Sequence, residues 1–211
     1  MRVIAAIALL ALVPLAGTRA APAAQDPPGL YLVRPDLRLC PSPLCGGAWV
    51  RRVNRTETRC AGGASRRECY VASISGVAVP AQAGSLVRGR IVPAGIAGFP
   101  ELGRLAATSA WRAASPGTPA GTVYRVADNG ARCVTHPCFA LAAVVAGTSR
   151  RVTLSGIDLS ATGTPPALER RIRALLARGG LYLAGTIRVV PDEGPAGDGR
   201  TLVATAFWLP A

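Results

Sequence analysis

The chain is written twice. "GLYLVRPDLRLCPSPLC" begins at Gly29 and "GTVYRVADNGARCVTHPC" begins at Gly121. Tyr31 answers to Tyr124, Cys40 to Cys133 and Cys45 to Cys138, all at an offset of 93. Further on, Ser75-Gly76 matches Ser155-Gly156, Gly89 and Ile91 match Gly185 and Ile187, and "LAATSAW" (105–111) matches "LVATAFW" (202–208). A unit of about 90 residues is the size of a small domain. The fold must therefore close within that length and do so twice. The joint, "AASPGTPAG" at 113–121, is rich in Pro, Gly and small residues and reads as a tight connection. The expected division is a first repeat over 29–113, a linker over 114–120 and a second repeat over 121–211.

Each unit reads as mostly strand. Strand one is expected at 30–33 and 122–126, strand two at 48–53 and 139–145, and strand three at 70–79 and 152–159. A helix follows in the second unit, in "TPPALERRIRALLARGG". Thr164 is its expected N-cap, Pro165 its first residue and Gly179 its C-cap, with Leu168, Ile172, Leu175 and Leu176 on one stripe. The first unit's counterpart, "PAQAGSLVRG", is short and weak. Strands four and five close the second unit at 181–190 and 202–209. Three strands, a helix and two strands is the order of the OB-fold, a five-stranded small barrel. The predicted fold is mainly β (α+β): two tandem OB-like five-stranded small barrels, each with one helix between strands three and four. A generic α+β sandwich has the same strand count.

The N-terminus reads as an export signal. Arg2 precedes an apolar run of about a dozen residues at 4–15, too short to span a bilayer. Small residues at Thr18 and Ala20 place cleavage after Ala20, which leaves 21–28 as a disordered N-terminal segment. The expected protein is secreted or periplasmic, without a transmembrane segment in the mature chain.

Export decides how the six cysteines are read. An even number in an oxidising compartment favours disulfides, and they fall into close pairs: Cys40–Cys45, Cys60–Cys69 and Cys133–Cys138. Cys133, His136 and Cys138 also have the donor types for a soft metal, but a fourth ligand is missing. Redox pairs usually enclose two residues, whereas the loops "PSPL" and "VTHP" enclose four. A duplicated structural staple is the expectation, with no metal and no cofactor.

Charge supplies the functional clue. The chain has 24 Lys+Arg, all of them Arg, against 11 acidic residues. Without Arg2 and Arg19 the mature chain carries 22 − 11 = +11. Such a protein can bind anionic polysaccharide, lipid head groups or nucleic acid. The Arg doublets are scattered, which equally fits a solvated surface. Trp49, Arg51, Arg52, Arg66, Arg67 and Tyr70 lie on or beside strands two and three, the face that binds ligands in OB-like barrels. They form the candidate binding surface, with Trp49 in the core and solvated arginines as the plain alternative. The second unit's strand two, "FALAAVVAG", is apolar throughout and reads as buried on both faces.

Several chemistries are missing. One histidine leaves little room for a Ser-His-Asp triad. The sequence contains no G-x-S-x-G and no Walker-type loop. "PDEGPAGDG" reads as a solvated hairpin connection or a weak calcium loop. The expected function is therefore that of an exported non-catalytic binding or envelope-associated protein, its partner an anionic polymer or envelope component. The alternative is a secreted hydrolase with a site between the repeats, built on Asp36, Glu57, Asp128 or His136.

From "LCPSPLCGGAWVRRVNRTETRCAGG" through "ECYVA" the sequence resembles a family of uncharacterised exported bacterial proteins. That family shows a Cys-Pro-Ser-Pro-x-Cys-Gly-Gly run, an Arg-Val-Asn shortly after it and a downstream Cys-Tyr-Val. A second short cysteine pair followed by an aromatic is matched loosely by "CVTHPCF". The resemblance covers most of the mature chain. It implies location and a shared fold, and no activity.

Overall fold

A computed structural model describes residues 27–80 and 82–211. The expected signal peptide, and the N-terminal segment up to residue 26, lie outside the described residues.

The chain is mainly β. In the first half the strands are β1 (Gly29–Pro35), β2 (Ala48–Arg52), β3 (Thr58–Arg59), β4 (Ser65–Arg66), β5 (Cys69–Ser75), β6 (Ser85–Pro93) and β7 (Gly103–Ala113). β1 lies antiparallel between β2 and β6, β2 pairs β5, and β5 runs parallel to β7. β7 then pairs back onto β6, so β1, β2, β5, β7 and β6 close a five-stranded barrel. Alternation fills its interior with Tyr31, Val33, Ala48, Val50, Val71, Val87 and Leu105, mostly β-branched or aliphatic side chains suited to a pleated surface. β3 and β4 form a separate two-stranded hairpin raised on this barrel.

The second half contains β8 (Thr122–Asp128), β9 (Leu141–Val145), β10 (Arg151–Leu154), β11 (Gly156–Asp158), α1 (Pro166–Arg178), β12 (Leu181–Gly194) and β13 (Gly197–Pro210). β8 pairs β9 and β12, β9 pairs β10, β11 runs parallel to β13, and β12 pairs β13. Ile172 and Leu176 of α1 pack onto a core of Val126, Leu154, Leu183, Leu202 and Phe207.

Three expectations need correcting. Among the described residues, the connection between β5 and β6 carries no helix, so the one helix per repeat is not realised in the first half. "PAQAGS" lacks the apolar stripe that would hold a helix against the barrel. α1 begins one residue late, with Pro165 at the N-cap and no side-chain cap bond, and the Thr164 hydroxyl pairs with that of Thr162. The strand at 141–145 is not buried on both faces. Ala143 and Val145 point inward while Leu141, Ala142 and Val144 are only half-covered.

The halves join edge to edge. β13 pairs antiparallel with β7, setting Trp208 opposite Ala113, Leu209 opposite Arg112 and Pro210 opposite Trp111. A further core forms at this seam from Leu30, Val53 and Leu86 of one half and Val123, Ala146, Tyr182 and Trp208 of the other. Trp111 meets Tyr182 edge to face at 4.9 Å, and the buried Trp208 indole N–H donates to Gly84 O at 2.7 Å. Disulfides join Cys40 to Cys45, Cys60 to Cys69 and Cys133 to Cys138. Both sulfurs of the second short loop are thereby used, which removes the metal set of Cys133, His136 and Cys138. Among the described residues no helix is long and apolar enough to cross a membrane.

Candidate functional site

β2 ends in Arg51 and Arg52, and the chain continues through Val53, Asn54 and Arg55 into the hairpin of β3 and β4. Two polar side chains shape this corner. The buried Thr58 hydroxyl accepts the Arg52 N–H at 2.8 Å and donates to Arg67 O at 3.3 Å. It thus draws Arg67 beside the end of β2, at the base of the loop closed by Cys60–Cys69. Asn54, in the left-handed region at φ 57°, turns the chain and reaches across the seam. Its amide donates to Val123 O at 2.8 Å and Ala146 O at 3.1 Å, and its carbonyl accepts the Val123 N–H at 2.9 Å.

Between these ties lies a hollow of about 430 Å³. Arg51, Arg52, Arg55 and Arg67 line it together with Leu32, with Pro119 of the joint between the halves and with Gly121 and Val123 of the second half. No acidic side chain lines it, and among the described residues none of the four arginines takes part in an ion pair. Four arginines, each always charged, thus border one hollow whose lining holds no acidic side chain.

The other candidate residues are placed elsewhere. Trp49 and Tyr70 face each other across β2 and β5 with ring centroids 5.5 Å apart. Arg38 lies over both rings, at 5.2 and 5.5 Å, and Arg34 over Trp49 at 5.7 Å. Both cations are neutralised, Arg34 by Glu68 at 3.0 Å and Arg38 by a fork onto Asp36 at 2.9 Å. The Arg38 guanidinium bonded to Asp36 holds that carboxyl below its ordinary range, helped by the Trp49 N–H. Tyr70 accepts from Gly47 N–H and donates to Pro43 O, and Arg38 donates to Leu44 O. This aromatic pair therefore anchors the Cys40–Cys45 loop. Arg66 stays exposed on β4 and does not line the hollow.

The residues considered for hydrolysis are divided. Asp36 is taken by Arg38 and Asp128 by Arg132, whose guanidinium bond also lowers the Asp128 carboxyl. His136 faces Glu193 at 3.6 Å, and Glu193 accepts the Ser155 hydroxyl at 2.7 Å. The order is hydroxyl, carboxylate, imidazole. A nucleophilic triad needs the imidazole in the middle to take the proton. Ser155 is also bonded to the Arg200 N–H and C=O, and His136 O accepts from Ala196 N–H. The cluster ties the second cysteine loop and Ser155 to the β12–β13 hairpin. That hairpin, read as a solvated connection, is paired as far as Gly194 opposite Gly197.

Thr58 and Asn54 carry no signal of these roles in the sequence. Asn54 in "NRT" looks like a glycosylation pattern, and a lone Thr between charged residues carries no motif. Their roles depend on a seam and a loop that only folding creates.

No curated protein and no solved structure matches the chain. A family model described as a domain of unknown function (DUF6748) matches residues 29–211 and so spans both halves and the seam between them. The chain belongs to that family.

Proposed function

We propose that the protein is an exported, disulfide-stapled binding protein whose seam hollow takes an anionic ligand, an anionic polymer or other envelope component. The observation that carries this is that Arg51, Arg52, Arg55 and Arg67 all line one hollow with no acidic residue in its lining. Like charges held together repel, and a ligand bearing phosphate, sulfate or carboxylate groups relieves that repulsion through paired charge-assisted bonds. Export is supported by the apolar N-terminal run and by three disulfides, which suit an oxidising compartment.

The reading includes a duplicated OB-like barrel, with units at 29–113 and 121–211 joined by 114–120. Equivalent registers support it. Tyr31 pairs with Arg52 and Tyr124 with Val145, while Gly29 pairs with Gly89 and Thr122 with Gly185. A bulge separates Arg88 from Gly89 and another separates Ala184 from Gly185. Ile74 lies opposite Leu105 and Ile157 opposite Leu202, so strand three shifts by 157 − 74 = 83. The Ser-Gly match at offset 80 is then three residues out, and the first unit's insertion is 93 − 83 = 10 residues. That insertion carries Arg67. At offset 93, Arg51, Arg52 and Arg55 answer to Val144, Val145 and Thr148, so only the first unit brings these arginines to the seam.

The test uses the mature exported chain and inorganic polyphosphate as probe, followed by calorimetry at several salt concentrations. Binding should weaken with salt with a log–log slope of about −3 for four contacts to a flexible polyanion. Replacing Arg51, Arg52, Arg55 and Arg67 by Gln should abolish it, and Arg66→Gln should leave it unchanged. Equal binding by the quadruple variant, or no binding by the native chain, overturns the proposal.

A further inference from the structure

The loop closed by Cys40–Cys45 holds apolar side chains out in solvent. Leu37 is 86% exposed, Leu39 102% and Leu44 46%. An exposed leucine usually folds back onto a nearby apolar surface, and one is close by in the Trp49–Tyr70 pair. That surface is already covered by Arg34 and Arg38. Around Arg38 the side chains alternate: Arg38 turns inward to Asp36 and the rings, which leaves Leu37 and Leu39 on the outside. The loop cannot collapse, because the disulfide, the Arg38 bond to Leu44 O and the Tyr70 bond to Pro43 O pin it.

The segment thus exposes Leu37 and Leu39 almost fully and Leu44 in part, and its polar base is internally paired. Arg34 and Arg38 are matched by Glu68 and Asp36, so pushing the tip into an apolar medium leaves no unpaired charge at its root. The molecule behind it is strongly cationic, with 22 basic against 11 acidic residues once Arg2 and Arg19 leave with the signal. Exposed leucines on a cationic body complement a surface that is anionic outside and apolar beneath.

We propose that the Leu37–Leu39–Leu44 tip docks the protein on an anionic lipid bilayer, the leucines entering the interface while the net positive charge draws the molecule to it. This surface is separate from the seam hollow and does not depend on it.

The mature exported chain is sedimented with vesicles of phosphatidylglycerol and phosphatidylethanolamine, and with vesicles of phosphatidylcholine alone. Binding is expected to the anionic vesicles. Leu37→Glu with Leu39→Glu should reduce it by about tenfold or more, since two buried leucines are lost and two anions are added. Both positions are exposed, so the thermal unfolding midpoint should not move. Leu37→Ser with Leu39→Ser should weaken binding without changing net charge, separating insertion from repulsion. The quadruple hollow variant should retain the leucine-dependent part. The proposal is overturned if the native chain binds no vesicle, if the serine variant binds as well as the native chain, or if the leucines matter only for capture of another protein.

Discussion

Asn54 and Val123 are bonded in both directions across the seam. The Asn54 amide donates to Val123 O at 2.8 Å, and the Val123 N–H donates to the Asn54 carbonyl at 2.9 Å. One side chain thus imitates a strand partner for β8, and a third bond to Ala146 O fixes the turn after β9. Asn54→Gly keeps a residue that accepts φ 57° and removes only the bonds. It should destabilise by about 1–3 kcal/mol, the cost of unpaired backbone groups at the seam. Asn54→Ala adds left-handed strain of about 1 kcal/mol. Denaturant midpoints should fall in the order native, Gly, Ala. A Gly variant as stable as the native chain would show that the bridge contributes nothing.

Gly89 and Gly185 sit at the two bulges, where the partner strand approaches closely. A Cβ on Gly89 would strike Ala106 O, and one on Gly185 would strike Val203 O. Both obstacles are backbone, so neither can swing aside. Gly185→Ala and Gly89→Ala should each cost more than about 3 kcal/mol, comparable with the severe single substitutions. Gly147 has open space around its Cβ position, but its φ of 80° gives Gly147→Ala only the smaller cost of left-handed strain. Thermal unfolding of the three variants should separate them in that way.

The three disulfides should not be equivalent. In the chain-entropy model each short loop contributes about 2–3 kcal/mol. Cys69 is also buried in the barrel's core, whereas the Cys40 and Cys133 sides of the other two bridges are exposed. Cys60→Ser with Cys69→Ser places a hydroxyl in that core and releases the loop that carries Arg67. It should lower the unfolding midpoint more than Cys133→Ser with Cys138→Ser, and it should also weaken polyphosphate binding. Equal loss from both pairs would contradict this account.

Acid should release the first loop before it unfolds the barrel. The Arg38 bond holds the Asp36 carboxyl below its ordinary value of 3.8 in the folded state. A depressed acid contributes stability that is present above the unfolded value and lost as pH falls through the folded one. Asp36→Asn should therefore be less stable than the native chain at neutral pH, and the gap should close below about pH 4. A gap that stays constant to about pH 2 would show that the Asp36–Arg38 fork contributes no pH-dependent stability.

The sequence by itself determined the local features of this protein. Alternating apolar residues placed β1, β5 and β13 to within a few residues, and the "ALERRIRALLAR" stripe with its following Gly179 placed α1 and its end. Cysteine spacing was enough to read three local pairs, because short loops need no long-range contact to close. The missing helix before β6 could not be read, since a weak segment becomes helix only where packing supports it. The Ser75-Gly76 match misled for a related reason. Similar letters slid three places, and only the pairing of β5 with β7 and of β11 with β13 set the register. Tertiary structure alone decided which arginines and aromatics act together. Trp49 stands two residues from Arg51 in sequence, yet its pairing with Tyr70 and Arg38 commits it to the first loop. Arg55 and Arg67 are twelve residues apart and meet at one hollow through Thr58, Asn54 and a wall supplied by the other half of the chain. A side chain's surroundings at a seam depend on segments about 70 residues away, as Asn54 and Val123 are, and no local pattern records that distance.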